Sequence, residues 1–333
     1  MAPGEVTDAM LLLDSPYPAS GSVVVINQTS QLVDATLRPV PLSEVYVHHW
    51  GSSGKFVQGS GAELRGARDR APLKWPLAMV VDGESVIDTK FRMANIELIN
   101  TIGVAKENLS ACLECHCPDD PNRGSFLCCA SRTCPTEAPP VSVDYFIEYN
   151  VTYRALGEQD KEVKPVDFFL FDVTGGVFEY QIVAPEGPNT THSKVRHEVI
   201  DGACPQKKDF NIVRCTGHQH VGSKCISMYN EDTHELICRS CPVYGTEKGE
   251  PGNEDGYVVK MTDDDLATPY KIAPGTRVRL ESLYQNDKRL LGAMGLMVVL
   301  VSDTAPCPSR GPYGVHGFPG YVSHETAIDG VVF

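Results

Sequence analysis

Val141-Ser-Val143-Asp-Tyr145-Phe-Ile147-Glu-Tyr149-Asn-Val151-Thr-Tyr153 carries an apolar or aromatic side chain at every odd position. Successive side chains leave a strand on opposite faces, so this period of two describes a strand with one face on a core. The same reading extends outward to Ser22–Ile26, Val45–Trp50, Leu77–Val81, Asp167–Val173, Tyr257–Met261, Arg277–Tyr284 and Gly295–Ser302. Turn formers separate these runs: Pro-Glu-Gly at 185–187, Asn-Glu-Asp at 230–232, and Pro-Gly at 251–252 and 274–275. Few windows show the i, i+3, i+4, i+7 spacing of an amphipathic helix. Many short strands over this length predict an all-β chain of two tandem jelly-roll β-sandwich domains.

The chain has 333 residues and 12 cysteines, which divide six and six. Cys112, Cys115, Cys117, Cys128, Cys129 and Cys134 crowd a polar, Pro-rich insertion, residues 112–134 of a first domain expected over 1–155. Cys204, Cys215, Cys225, Cys238, Cys241 and Cys307 are spread along the second half, whose domain is expected over 156–305. Even counts in each half suit bridges closed within each domain, with the connectivity left open. Residues 306–333 form an extended Gly/Pro-rich tail containing His316 and His324, placed against the body or a neighbouring subunit. Cytosolic proteins rarely accumulate so many thiols. Four Asn-x-Ser/Thr acceptors, at Asn27, Asn108, Asn150 and Asn189, point the same way. The expectation is a secreted, disulfide-bonded glycoprotein. The first apolar stretch, Met10 to Leu13, is too short for a secretory leader, so the chain is expected to begin after one.

Charge and hydropathy exclude other classes. A net charge of −14 lacks the basic surface that displaces counterions from phosphates, so a nucleic-acid partner is not expected. The longest apolar run, Leu290 to Val301, is too short to span a bilayer as a helix. Nucleophile elbows, phosphate loops and dinucleotide fingerprints are absent from the sequence.

Metal chemistry has candidates. In His218-Gln219-His220 the period of two would send both imidazoles to one strand face, two nitrogen donors side by side. The competing reading is two polar side chains on a solvated face. His48-His49 is adjacent, so both rings reach one ion only if the strand bends or bulges there. Met294 and Met297 read as core filler taken alone, but a thioether beside imidazoles selects copper, especially Cu(I). Cys112-x-x-Cys115-x-Cys117 with His116 could form a zinc knuckle, although a disulfide knot fits the glycosylation signals better.

Several of these stretches resemble one family. Pro41-Leu42-Ser43-Glu44-Val45-Tyr46-Val47-His48-His49-Trp50 resembles the opening motif of the stress up-regulated nodulin family of plants and algae. Cys112-Leu-Glu-Cys115-x-Cys117 with Cys128-Cys129, Gly217-His218-Gln219-His220 and Gly222 match in order. So do Gly252-Asn253-Glu254-x-Gly256-Tyr257 and Gly292-Ala293-Met294-Gly295-Leu296. That family is distantly similar to the copper type II, ascorbate-dependent monooxygenases, whose peptidylglycine hydroxylating members hold two coppers across a solvent-filled cleft between two jelly rolls. The resemblance implies that His218, His220 and Met294 hold an oxygen-activating copper, and that His48 and His49 belong to a separate electron-relay copper. Glu97 stands where the plant proteins carry a histidine in that second set. A carboxylate there is a harder ligand. The implied cofactors are one or two copper ions, with ascorbate as reductant, and no residue pattern names a substrate. The alternative is a non-catalytic extracellular module of the same fold that self-assembles or binds extracellular protein partners through its tail.

Overall fold

A computed structural model describes residues 1–12, 17–18, 20–52, 73–83, 93–113, 133–176, 179–183, 191–200 and 208–303, and these form an all-β fold. One sheet of three strands runs β1 (Val6–Leu12), β5 (Met93–Asn100), β3 (Val45–Ser52). The largest sheet has seven strands in the order β15 (Asp263–Ile272), β10 (Phe210–His218), β18 (Leu296–Ser302), β7 (Lys164–Asp172), β4 (Leu77–Asp82), β2 (Ser22–Asp34), β6 (Tyr145–Ala155). A four-stranded sheet runs β12 (Leu236–Ser240), β11 (Ser223–Asn230), β16 (Arg277–Gln285), β9 (Thr191–Val199). Two ribbons complete the set: β13 (Pro242–Tyr244) with β14 (Val258–Met261), and β17 (Leu290–Met294) with β8 (Glu179–Ile182).

The alternation that predicts a strand at 141–153 is realised in β6. Its odd residues Tyr145, Ile147, Tyr149 and Val151 pack on the first core, while Phe146, Asn150 and Thr152 face outward. The strand begins later than the pattern, because Val141 and Val143 are exposed in the run-in that follows Pro139-Pro140, two residues without N–H donors. The other stretches expected as strands coincide with β2, β3, β4, β7, β14, β16 and β18. Alternation could not find β10, because as an inner strand it is buried along almost its whole length and shows no polar phase. The helix α1 (Lys106–Leu113) was not anticipated, and it carries Cys112.

Buried apolar residues fall into two main clusters. One collects Val23, Leu32, Val45, Trp50, Val81 and Ile99 from the first half, together with Tyr257 from the second. The other is built from Phe169, Phe210, Ile226, Met228, Leu280 and Val299 and their neighbours. Strands of both halves share the seven-stranded sheet, joined where β4 lies parallel to β7 over Leu77–Lys164 and Ala78–Pro165. The expected boundary at 155/156 falls at the end of β6, ahead of a 3-10 turn at Glu158–Asp160.

Three disulfides lie among the described residues. Cys112–Cys134 closes the insertion, Cys215–Cys238 ties β10 to β12, and Cys225–Cys241 ties β11 to the end of β12. Each stays within its own half, as even counts suggest. Cys115, Cys117, Cys128, Cys129, Cys204, Cys307, Asn189, His116, His316, His324 and the tail 306–333 lie outside the described residues. No helix among the described residues is long and apolar enough to cross a membrane.

Candidate metal centre

His218 is the last residue of β10, opposite Leu296 of β18, and His220 lies two residues beyond the strand. The expected strand geometry therefore holds only for the first histidine. A tight turn replaces it for the second: Ser223 N–H donates to the His220 carbonyl at 3.1 Å. Gly222 takes φ +96° there, a conformation that favours a residue without Cβ. The two rings nevertheless meet edge-to-face, with centroids 5.1 Å apart.

Met294 ends β17, and its Sδ lies 3.2 Å from His218 Nε2. His220 Nδ1 donates to the Gly292 carbonyl at 2.5 Å, which leaves the lone pair of the neutral ring on Nε2. All three side chains are withdrawn from water: His218 is 1% exposed, Met294 3% and His220 8%.

A polar bracket that sequence reading did not find holds these segments. The Tyr284 hydroxyl accepts from His220 N–H at 2.7 Å and donates to the Met294 carbonyl at 2.7 Å. Complete burial raises this phenol well above its ordinary range. Beside it, Gln219 Nε2 donates to Ser282 Oγ at 2.8 Å, and Ser282 Oγ is 3.0 Å from the Tyr180 hydroxyl. Burial raises Tyr180 as well, against the opposing pull of Ser282. The available signal was in β16, where Ser282 and Tyr284 occupy the same inward phase as Val278 and Leu280. Polar groups in a buried phase require hydrogen-bond partners.

The first-half residues reach the same place. Pairing between β3 and β5 slips between Val47 and His49, so His48 sits in a bulge, the feature that adjacent histidines require. His48 Nδ1 is 3.4 Å from Glu97 Oε2, with both side chains fully buried. Glu97 lies on β5, flanked by Asp8 of β1 and His49 of β3. The His48 ring is 5.4 Å from that of His220. The resemblance implies two ligand sets across a solvent-filled cleft; here the His48 ring of one set stands beside the His220 ring of the other, and Glu97 stands beside His48. The His49 side chain is outside the described residues.

Among the described residues no three His, Cys, Asp or Glu side chains are grouped as around a metal ion.

The family model described as stress up-regulated Nod 19 matches residues 81–304. The chain belongs to the stress up-regulated Nod 19 family. Within this Nod 19 chain the matched span contains Glu97, His218, His220, Tyr284 and Met294, while His48 precedes it. No curated protein matches it. Among solved structures it is similar to the STIV MCP, with 8% identity and a TM-score of 0.27 over 92% of this chain and 94% of that one. It is also similar to the structure of infectious bursal disease virus Gx strain, with 10% identity and a TM-score of 0.20 over 91% of this chain and 61% of that one. Neither superposition is close enough to bear on function.

Proposed function

We propose that this Nod 19 family member is a secreted copper-binding protein whose ion is held by His218, His220 and Met294. The observation that carries the reading is the 3.2 Å approach of Met294 Sδ to His218 Nε2 at a buried site. At the tetrahedral angle, bonds of about 2.0 Å to nitrogen and 2.3 Å to sulfur place two donors of one ion about 3.5 Å apart, a little more than the 3.2 Å seen here. The same distance also suits a weak N–H···S contact, which is why metal loading is the test. The donor set supports copper over zinc: two neutral imidazoles and a thioether favour Cu(I). The carbonyl of Gly292 fixes the His220 tautomer, and the Tyr284 hydroxyl fixes the spacing of the two ligand-bearing segments. When bound, copper would supply one-electron redox chemistry. His48 and Glu97 stand behind His220 as a buried imidazole–carboxylate pair that orients this side of the site.

Copper loading tests it. The disulfide-intact protein, titrated with Cu(I) against a chromophoric chelator, should take up one ion per chain, with sulfur scattering in its X-ray absorption spectrum. Met294→Leu should lower affinity about tenfold or more and remove the sulfur signal. Unchanged affinity and spectrum in a folded Met294→Leu variant would sink the assignment.

A second reading is a C–H hydroxylating monooxygenase that uses dioxygen and ascorbate, favoured by the soft His/His/Met donor set. Oxygen uptake that requires ascorbate, copper and Met294 would support it. Copper binding without uptake would instead favour the non-catalytic extracellular module, which agrees with the low exposure of all three donors.

A further inference from the structure

We propose that Asn27 and Asn150 carry N-linked glycans whose paired roots cover the outer edge of the seven-stranded sheet. The inference rests on the secreted reading above, and the register of β2 against β6 takes it further. In that register Asn27 stands opposite Thr152, and Thr29 stands opposite Asn150. The acceptor triplets Asn27-Gln28-Thr29 and Asn150-Val151-Thr152 are therefore locked antiparallel, each asparagine facing the other's threonine. Their middle residues point inward: Val151 packs on the first core, and Gln28 Nε2 donates to the Tyr17 hydroxyl at 2.6 Å. The four outer positions share one face, where Asn27, Asn150 and Thr152 are exposed and Thr29 is half-buried. By contrast Asn108 lies half-buried on α1.

This face also needs cover. Among the described residues no strand pairs with β6 on its far side. Its eleven residues include no lysine and no proline, two devices that normally blunt a sheet edge. Phe146, 51% exposed, stands in the same outward row as Asn150, and Ile26 at the β2 bulge is 48% exposed. A long edge strand of this kind, whose outward row of Phe146, Glu148, Asn150, Thr152 and Arg154 is mixed in character, still offers its backbone groups as a template for pairing with another chain. Diagonal cross-strand neighbours lie about 7–8 Å apart, so two glycans rooted there must project side by side.

The modification uses a host transferase and a lipid-pyrophosphate-linked oligosaccharide. Asparagine Nδ2 forms a bond to the sugar C1, the bond from C1 to the pyrophosphate oxygen breaks, the lipid pyrophosphate leaves, and the Nδ2 proton is released.

The test is expression of the full chain in a eukaryotic secretory host. Enzymatic deglycosylation in heavy-oxygen water, followed by peptide mass spectrometry, should label both Asn27 and Asn150, each converted to aspartate. The folded glycoprotein, trimmed afterwards by an endoglycosidase to single sugars, should shift from monomer to dimer or larger in sedimentation. The secreted Asn27→Gln/Asn150→Gln variant should do the same. The endoglycosidase arm involves no refolding, so a misfolded variant does not decide the question. Unmodified asparagines in a chain whose disulfides have formed would overturn the proposal alone; unmodified asparagines with free thiols would overturn it together with the secreted reading. Occupied sites in a protein that stays monomeric after trimming would overturn the covering role.

Discussion

Removing one oxygen atom at Tyr284 isolates the bracket from the ligands. Tyr284→Phe leaves the buried His220 N–H and Met294 carbonyl without the hydroxyl that joins them. It should cost about 1–3 kcal/mol in denaturant unfolding. It should also weaken Cu(I) binding about 10–100-fold while the sulfur scattering of Met294 persists, a combination that loss of a ligand would not give. Gly295 is constrained by space: a Cβ there would meet Val173 Cγ2 at 2.6 Å and Ser282 Cβ at 2.7 Å. Gly295→Ala should destabilise the fold by about 1–3 kcal/mol, measured by urea unfolding. At this scale the sequence exposed what spacing and residue type encode, namely His218, His220, Met294 and the adjacent pair at His48. The partners Gly292, Ser282 and Tyr284 were hidden because a backbone carbonyl has no residue signature, and because two polar residues in a strand do not reveal which face they occupy.

Between residues and the whole, disulfides and bulges set the elements. Cys215–Cys238 and Cys225–Cys241 close loops of 23 and 16 residues, and both end around β12. By loop entropy each should contribute about 3 kcal/mol. Replacing Cys225 and Cys241 with alanine should lower the thermal midpoint, and more than the Gly295 substitution does, when both are followed by calorimetry. Half-buried strands such as β6 and β16 were readable because one face meets water and the other a core. Inner strands such as β10 have no such contrast, and the bulge at His48 follows from cross-strand register, which no single strand contains. Bringing His48 onto His220 required that register together with the packing of both halves.

For the whole molecule, the halves are latched as well as paired. Glu254, 1% exposed, accepts from Leu42 N–H at 2.9 Å and Gly252 N–H at 3.0 Å, and the Tyr257 ring lies 5.9 Å from that of Tyr46. Burial, with help from Glu254, pushes the Tyr257 phenol from 10.0 up to about 12. A raised folded-state value stabilises fully below the unfolded one, so this contribution is lost as pH rises from 10 towards 12. Tyr257→Phe should flatten that alkaline limb of the unfolding midpoint. Asp160 behaves oppositely: hydrogen bonds from Arg154, and then from Gly157 N–H, hold its carboxyl below the ordinary value. Its contribution is present at neutral pH and fades as pH falls through the folded value. Asp160→Asn should therefore differ from the parent protein at pH 7 and converge with it in acid, measured as urea midpoint against pH.

The β2–β6 register has a consequence in time. Val23 pairs with Ala155, so β2 leaves the ribosome 132 residues (155 − 23) before its partner is complete. At about 5–20 residues per second, that edge waits about 7–26 s unpaired. The pairing of β2 with β6 therefore waits for nearly the whole first half to be made, and whatever binds or decorates β2 in that interval acts before its β6 neighbour exists.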